Sequence, residues 1–325
     1  MKAIVTGGAG FIGSHIVELL VKKNYSVIVL DNFVTGRIDN LKKVSNKIKI
    51  INANIEDYNK IEKHFKNCKY VFHLAGLADV VPSIEQPEKY FDTNVKGTLN
   101  ILRASKKYNI RKVVYAASAS CYGMVKTFPT NEKTKISTEY PYALTKYLGE
   151  ELISHWSKIF KLPTIALRLF NVYGVRSRTT GAYGAMFGVF LAQLINNKPL
   201  TIVGDGKQTR DFTYVTDVAL AFYLAAKSNI KQDIFNVGTG KPTSVNFIAR
   251  KLGGKVIHIP KRPGEPDRSQ ADIKKITKDL NWKPKVSIEM GIKIMKENID
   301  DWKKAPVWTP NKIEEKTKVW FNYLK

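Results

Sequence analysis

Lys2-Ala3-Ile4-Val5-Thr6-Gly7-Gly8-Ala9-Gly10-Phe11-Ile12-Gly13 stands at the start of the chain. The first five residues have the apolar, partly β-branched make-up of a buried strand. Glycines at 7, 10 and 13 follow, and a helical pattern begins at Phe11. Glycines between a strand and a helix let the backbone approach a pyrophosphate and let the helix pack tightly on the strand. The helix N-terminus adds unpaired N–H groups and a partial positive charge. The stretch therefore predicts the opening of a dinucleotide-binding unit, with Gly7, Gly10, Phe11, Ile12 and Gly13 against the cofactor.

The same rhythm continues outward. Strand-like runs at Lys2–Thr6, Ser26–Leu30, Ile48–Ile51, Tyr70–Leu74, Lys112–Ala117 and Thr164–Leu169 alternate with helical stretches at Phe11–Lys23, Asp57–Lys66, Pro87–Tyr108 and Tyr142–Phe160. Near-continuous Val/Ile/Leu strands separated by helices predict an α/β fold, a doubly wound parallel (Rossmann) sheet covered on both faces. After about residue 172 the alternation breaks. Residues 1–172 read as the cofactor domain, with 213–240 returning to it. Residues 173–212 and 241–325 read as a smaller C-terminal α/β substrate domain plus a tail. Thr309-Pro310 in that tail reads as a capped helix start. Ile313, Trp320 and Leu324 then recur at helical spacing, which predicts packing onto the second domain.

A chain of 325 residues with 44% hydrophobic and 25% charged side chains is globular, neither disordered nor a disulfide scaffold. Its net charge of +25 is unusual, but it comes from 43 Lys against 10 Arg, scattered without a basic tract. Arg is the better reader of phosphates and bases, so the charge reads as solvated surface and no specific nucleic-acid partner is expected. Cys68 and Cys121 make no metal-ligand spacing and suit a reducing compartment. No apolar run approaches the roughly 20 residues of a membrane span, and the opening is a strand, not a leader. The expectation is a cytoplasmic protein with no metal and no membrane contact.

Asp31 ends the second strand, 18 residues after Gly13. A carboxylate there accepts from the adenosine ribose hydroxyls and repels a 2′-phosphate, which points to NAD. Asn32 follows it. Pro141-Tyr142-Ala143-Leu144-Thr145-Lys146 opens a helix and puts Tyr142 and Lys146 on one face. An ammonium beside a phenol favours the phenolate, and Tyr142 could then serve as a general base.

Taken with Ser118, these motifs resemble the extended short-chain dehydrogenase/reductase superfamily and, within it, the nucleotide-sugar epimerases and dehydratases. His73-Leu74-Ala75-Gly76 resembles the turn that passes the cofactor, with Leu74 and Ala75 against it and His73 a packing residue. Asn94-Val95 resembles the central-helix signature. Arg168 to Gly174 resembles the segment leading into the sugar site. The stretches Gly204 to Phe212 and Arg262 to Glu265 resemble the nucleotide-holding segments. The resemblance implies NAD as cofactor, Asn54 and Ile55 near the adenine (where the family often has Asp), and a UDP-linked sugar held by Asn171, Arg210, Arg262 and Glu265. It implies a homodimer through Asn94–Tyr108 and Tyr142–Phe160.

The dehydratases of this family follow the Ser118 hydroxyl with Asp-Glu, and the decarboxylases typically keep a Glu. Here Ala119 and Ser120 stand there. What remains, Ser118, Tyr142 and Lys146 with NAD, suits 4-epimerisation through a transient 4-keto sugar. Ser269, small where a bulky residue restricts such sites, leans toward 2-acetamido sugars or tolerance of both kinds. A nucleotide-sugar reductase, another epimerase of the family and a noncatalytic NAD sensor remain alternatives at this stage.

Overall fold

A computed structural model describes residues 1–177, 186–261 and 264–324. Seven parallel strands form the central sheet. Their spatial order is Gln232–Val237, Thr164–Leu169, Lys112–Ser118, Tyr70–His73, Lys2–Thr6, Ser26–Asp31 and Ile48–Asn52. The chain starts in the middle at Lys2–Thr6, builds toward Ile48–Asn52, then returns to place Tyr70–His73 on the other side. The crevice at that reversal, beyond the strands' carboxyl ends, is where a doubly wound sheet takes its ligand.

Each face of the sheet has its own core. One face packs Val5, Val29 and Phe72 against Val17 and Leu20 of the helix Phe11–Lys22 and Phe222 of the helix Val215–Lys227. The other packs Ile4, Val71 and Val113 against Ile101 of Gly97–Lys107 and Ile153 of Pro141–Phe160. Alternate strand residues supply the two faces because successive side chains point to opposite sides. A third core, outside the sheet, joins Phe187, Phe190, Ile202, Ile248, Met295 and Trp302.

Several predicted elements differ in detail. The run from Pro87 is not one helix; a π-turn at Asp92–Lys96 divides Pro87–Phe91 from Gly97–Lys107. The run from Asp57 becomes the helix Tyr58–Ile61 followed by a 3-10 turn, Glu62–Phe65. The tail needs the largest correction. Trp302 does enter the third core, and the Trp308 carbonyl accepts from Gln193 Nε2 at 2.8 Å. The helix Pro310–Tyr323 that follows instead packs against the helix Val80–Glu85, beside the sheet's carboxyl end. Thr309 holds the N-cap position but its hydroxyl makes no capping bond.

Among the described residues no helix is long and apolar enough to cross a membrane. No cluster of three His, Cys, Asp or Glu could hold a metal ion there.

Candidate functional site

A cavity of about 910 Å³ runs along the carboxyl end of the sheet and between the sheet and the third core. At one end lie Gly7, Gly10, Phe11, Ile12, Gly13, Asp31, Asn32, Asn54, Ile55, Leu74 and Ala75. The glycine loop is tight. A Cβ on Gly7, whose φ is +66°, would sit 2.7 Å from the Ala75 nitrogen, and one on Gly13 would collide with the Gly7 carbonyl. Gly10 caps the helix Phe11–Lys22 with no side chain to occupy its N–H groups, so they are available to a phosphate. Asp31 is buried, and burial raises its carboxyl above the usual range. Its two oxygens accept from the Ala9 and Phe33 N–H groups at 2.9 and 2.8 Å. Asp31 thus braces the glycine loop, and it also lines the cavity. This donor and acceptor set fits a dinucleotide.

His73 lies fully buried behind this wall. The Thr98 hydroxyl donates to the Asn94 carbonyl at 2.6 Å, so it accepts from His73 Nε2–H at 2.9 Å. His73 Nδ1 then accepts from the Thr6 hydroxyl at 2.7 Å, and Thr6 Oγ1 accepts the N–H groups of Leu74 and Ala75. One neutral tautomer satisfies every group in the chain. Burial, then the charge of Lys146, pushes the imidazole pKa down to about 3. His73 joins the strand Lys2–Thr6, the turn at 74–75 and the π-turn, and it does not reach the cavity.

Asn94 also stands one layer back. Its Oδ1 accepts from Leu77 N–H at 2.8 Å, and its Nδ2 donates to the Leu77 carbonyl and to Thr145 Oγ1, both at 3.0 Å. The π-turn aims this side chain, tying the 74–77 wall to the helix that carries Tyr142.

The middle of the cavity holds Ser118, at the end of Lys112–Ser118, with Tyr142 and Lys146 on the first turns of Pro141–Phe160. Tyr142 donates to Ser118 Oγ at 3.2 Å. Ser118 Oγ also accepts from the Ser120 N–H at 3.2 Å and lies 2.8 Å from Ser120 Oγ. With both acceptor positions filled, the Ser118 proton points to Ser120. The Lys146 ammonium sits 4.2 Å above the Tyr115 ring. Burial pushes its pKa down to about 7, and Glu150 one turn on opposes that shift. Burial raises the Tyr142 phenol; the Ser118 hydrogen bond draws it back, Asp79 raises it and Ser120 lowers it. The sequence pointed to Lys146 as the group favouring phenolate. Here the Ser118 and Ser120 hydroxyls draw the phenol down against burial, and the Lys146 ammonium lies over the Tyr115 ring.

Asn171, Arg210, Glu265 and Ser269 line the other end. Burial lowers the Arg210 guanidinium pKa while Glu265, 3.9 Å away, raises it. Arg210's chain neighbour Asp211 is engaged elsewhere, accepting from the backbone N–H groups of Thr239, Gly240 and Ala271. Arg262 lies outside the described residues. Lining residues that the sequence did not single out include Asp79, Phe128 and Tyr140. Tyr140 carried a weak signal, an aromatic two residues before Tyr142; Asp79 and Phe128 carried none. Ile313 and Trp320, read from their spacing as packing residues, line the cavity too.

Residues 3–238 match the NAD dependent epimerase/dehydratase family. The chain belongs to that family. A UDP-glucose 4-epimerase from Mycolicibacterium smegmatis is 33% identical over 304 residues, covering 90% of this chain and 96% of the relative. The solved structure of a UDP-N-acetylglucosamine 4-epimerase from Methanobrevibacter ruminantium, in complex with UDP-N-acetylmuramic acid, superposes with a TM-score of 0.86 at 32% identity. That match covers 91% of this chain and 98% of the other. A Thermus thermophilus UDP-glucose 4-epimerase complexed with NAD gives 0.84 at 33% identity, covering 94% and 100%. This NAD dependent epimerase/dehydratase family member is an enzyme with the family's Rossmann architecture, and NAD is its cofactor.

Proposed function

We propose that the chain is an NAD-dependent UDP-sugar 4-epimerase. The observation that carries the reading is the Tyr142–Ser118–Ser120 hydroxyl chain, with Ala119 and Ser120 where the dehydratases of the resemblance carry carboxylates. Hydroxyls can pass one proton to and from a sugar oxygen; eliminating water needs a further acid and base. Sequence likeness to 4-epimerases adds support.

In this reading Tyr142 takes the proton of the sugar 4-hydroxyl, directly or through Ser118, and later returns it. Lys146 orients the cofactor's nicotinamide ribose. The chemistry that NAD would supply there, when bound, is reversible hydride exchange with the sugar C4. Gly7, Gly10 and Gly13 hold the pyrophosphate, Asp31 the adenosine ribose, and Asn54 and Ile55 the adenine. Asn171, Arg210, Arg262 and Glu265 hold the nucleotide diphosphate, leaving the sugar free to turn over. Arg suits that task through its fork of donors. Residues 1–172 with 213–240 form the cofactor unit, and residues 173–212 with 241–325 supply the substrate unit and the C-terminal tail. Ser269 leaves space for a 2-acetamido group.

The test is incubation with UDP-glucose and UDP-GlcNAc, followed by separation of the products. Each substrate that is turned over should yield its 4-epimer with no net NADH formed or consumed. Tyr142→Phe should lower the rate by about 100-fold or more while NAD remains bound. Net consumption of NADH, or full activity in that variant, would refute the reading.

A further inference from the structure

The C-terminal helix Pro310–Tyr323 lies beyond residues 3–238, where the family match falls, and every catalytic motif precedes it. Its buried positions are Ile313, Thr317 and Trp320, spaced four and then three apart, which is one face of a helix. Two of them, Ile313 and Trp320, line the cavity that holds Tyr142. The segment is fastened on both sides of the cleft. Before the helix, Trp302 is fully buried in the third core and the Trp308 carbonyl is held by Gln193. The helix itself packs on Val80–Glu85 of the sheet-bearing unit.

Trp320 meets the reactive centre through one intervening ring. Its centroid lies 6.2 Å from that of Tyr140, and Tyr140 lies 6.3 Å from Tyr142, nearly parallel at 9°. At the helix end, Leu324 approaches the loop that carries Glu265: a Cβ on Gly264 would lie 3.8 Å from Leu324 Cβ. The tail therefore borders both the tyrosine layer and the loop facing Arg210. An indole offers a flat apolar face to the C–H side of a sugar ring, and aromatic walls with few polar groups are typical of small-ligand pockets.

We propose that the helix Pro310–Tyr323 is a wall of the sugar-holding part of the cavity, with Trp320 as a specificity-determining residue that acts on the sugar and not on the nucleotide. This rests on the UDP-sugar reading above. Trp320→Ala and Trp320→Phe in the full-length, NAD-loaded protein test it, by calorimetric binding of UDP and of UDP-GlcNAc. The alanine variant should bind UDP within about twofold of wild type and bind UDP-GlcNAc about tenfold more weakly. The phenylalanine variant, which keeps a ring against Tyr140, should fall between them. UDP binding doubles as the folding control. If the alanine variant loses it, the phenylalanine variant decides, since it must still weaken UDP-GlcNAc selectively. Equal losses for both ligands, or no loss for either, would overturn the proposal. These titrations need no turnover. A wild-type protein that binds UDP-GlcNAc but interconverts no sugar would therefore refute the epimerase reading and leave the Trp320 comparison standing.

Discussion

Acid should unfold this protein through His73, and the burial of its ring sets the size of the effect. In the folded state both ring nitrogens are committed, Nε2–H to Thr98 and Nδ1 to the Thr6 hydroxyl. A second ring proton would face Thr6 Oγ1, which already accepts two N–H groups. Burial, then the charge of Lys146, holds the folded pKa at about 3, against the ordinary 6.5. The unfolded chain thus binds the proton more readily. The stabilisation is complete above about pH 6.5 and is lost as pH falls toward 3. At 1.36 kcal/mol per unit, going from about pH 7.5 to about pH 4.5 should remove about 3 kcal/mol through this residue alone. His73→Phe keeps a ring beside Tyr115, whose centroid is 5.4 Å away, and cannot titrate. It should be less stable at about pH 7.5 by about 1–3 kcal/mol, from the unpaired Thr6 hydroxyl. The gap to wild type should then close or reverse at about pH 4.5. Urea unfolding of both proteins at the two pH values, followed by circular dichroism, measures the double difference. His15, lowered to about 4 chiefly by burial, titrates in both proteins and cancels. A gap that stays constant to within about 0.5 kcal/mol would show that His73 is not held neutral, and the reasoning would fail.

Two further outcomes are expected. Gly13→Ala places a methyl group against the backbone of Gly7 and Gly8; because backbone cannot give way as a flexible side chain does, NAD affinity should fall by about 100-fold or more, read by fluorescence titration of the variant. Ser269→Tyr should cost turnover of UDP-GlcNAc about tenfold more than turnover of UDP-glucose, measured as kcat/KM for each, and equal losses would remove the gating role of this position.

Much of the cofactor end was legible because its signals are local. Glycine spacing between a strand and a helix has one geometric reading, and Asp31 reaches the loop simply because the second strand lies beside the first. The Tyr142 to Lys146 spacing was likewise visible, but its electrostatics were not. Which way the lysine runs depends on Tyr115, 31 positions before it, and the Tyr142 hydrogen bond is made by Ser118 on a different element. Asn94 was legible as part of a helix signature but not as a residue one layer behind the cavity wall. That placement depends on a π-turn, which periodicity reads as continuous helix. The tail shows the same limit. Spacing identified its inward face, yet the choice of neighbour depended on where Trp302 and Trp308 anchor the chain before the helix begins.

By itself, the order of residues determined a doubly wound sheet, a glycine turn after its first strand and a tyrosine–lysine helix, since each follows from patterns within about 20 residues. Tertiary structure alone decided which hydroxyls bond Tyr142, that His73 is locked neutral, and that Trp320 closes the cavity wall. Those contacts join positions far apart in the chain, and only the packing of one element on another selects them.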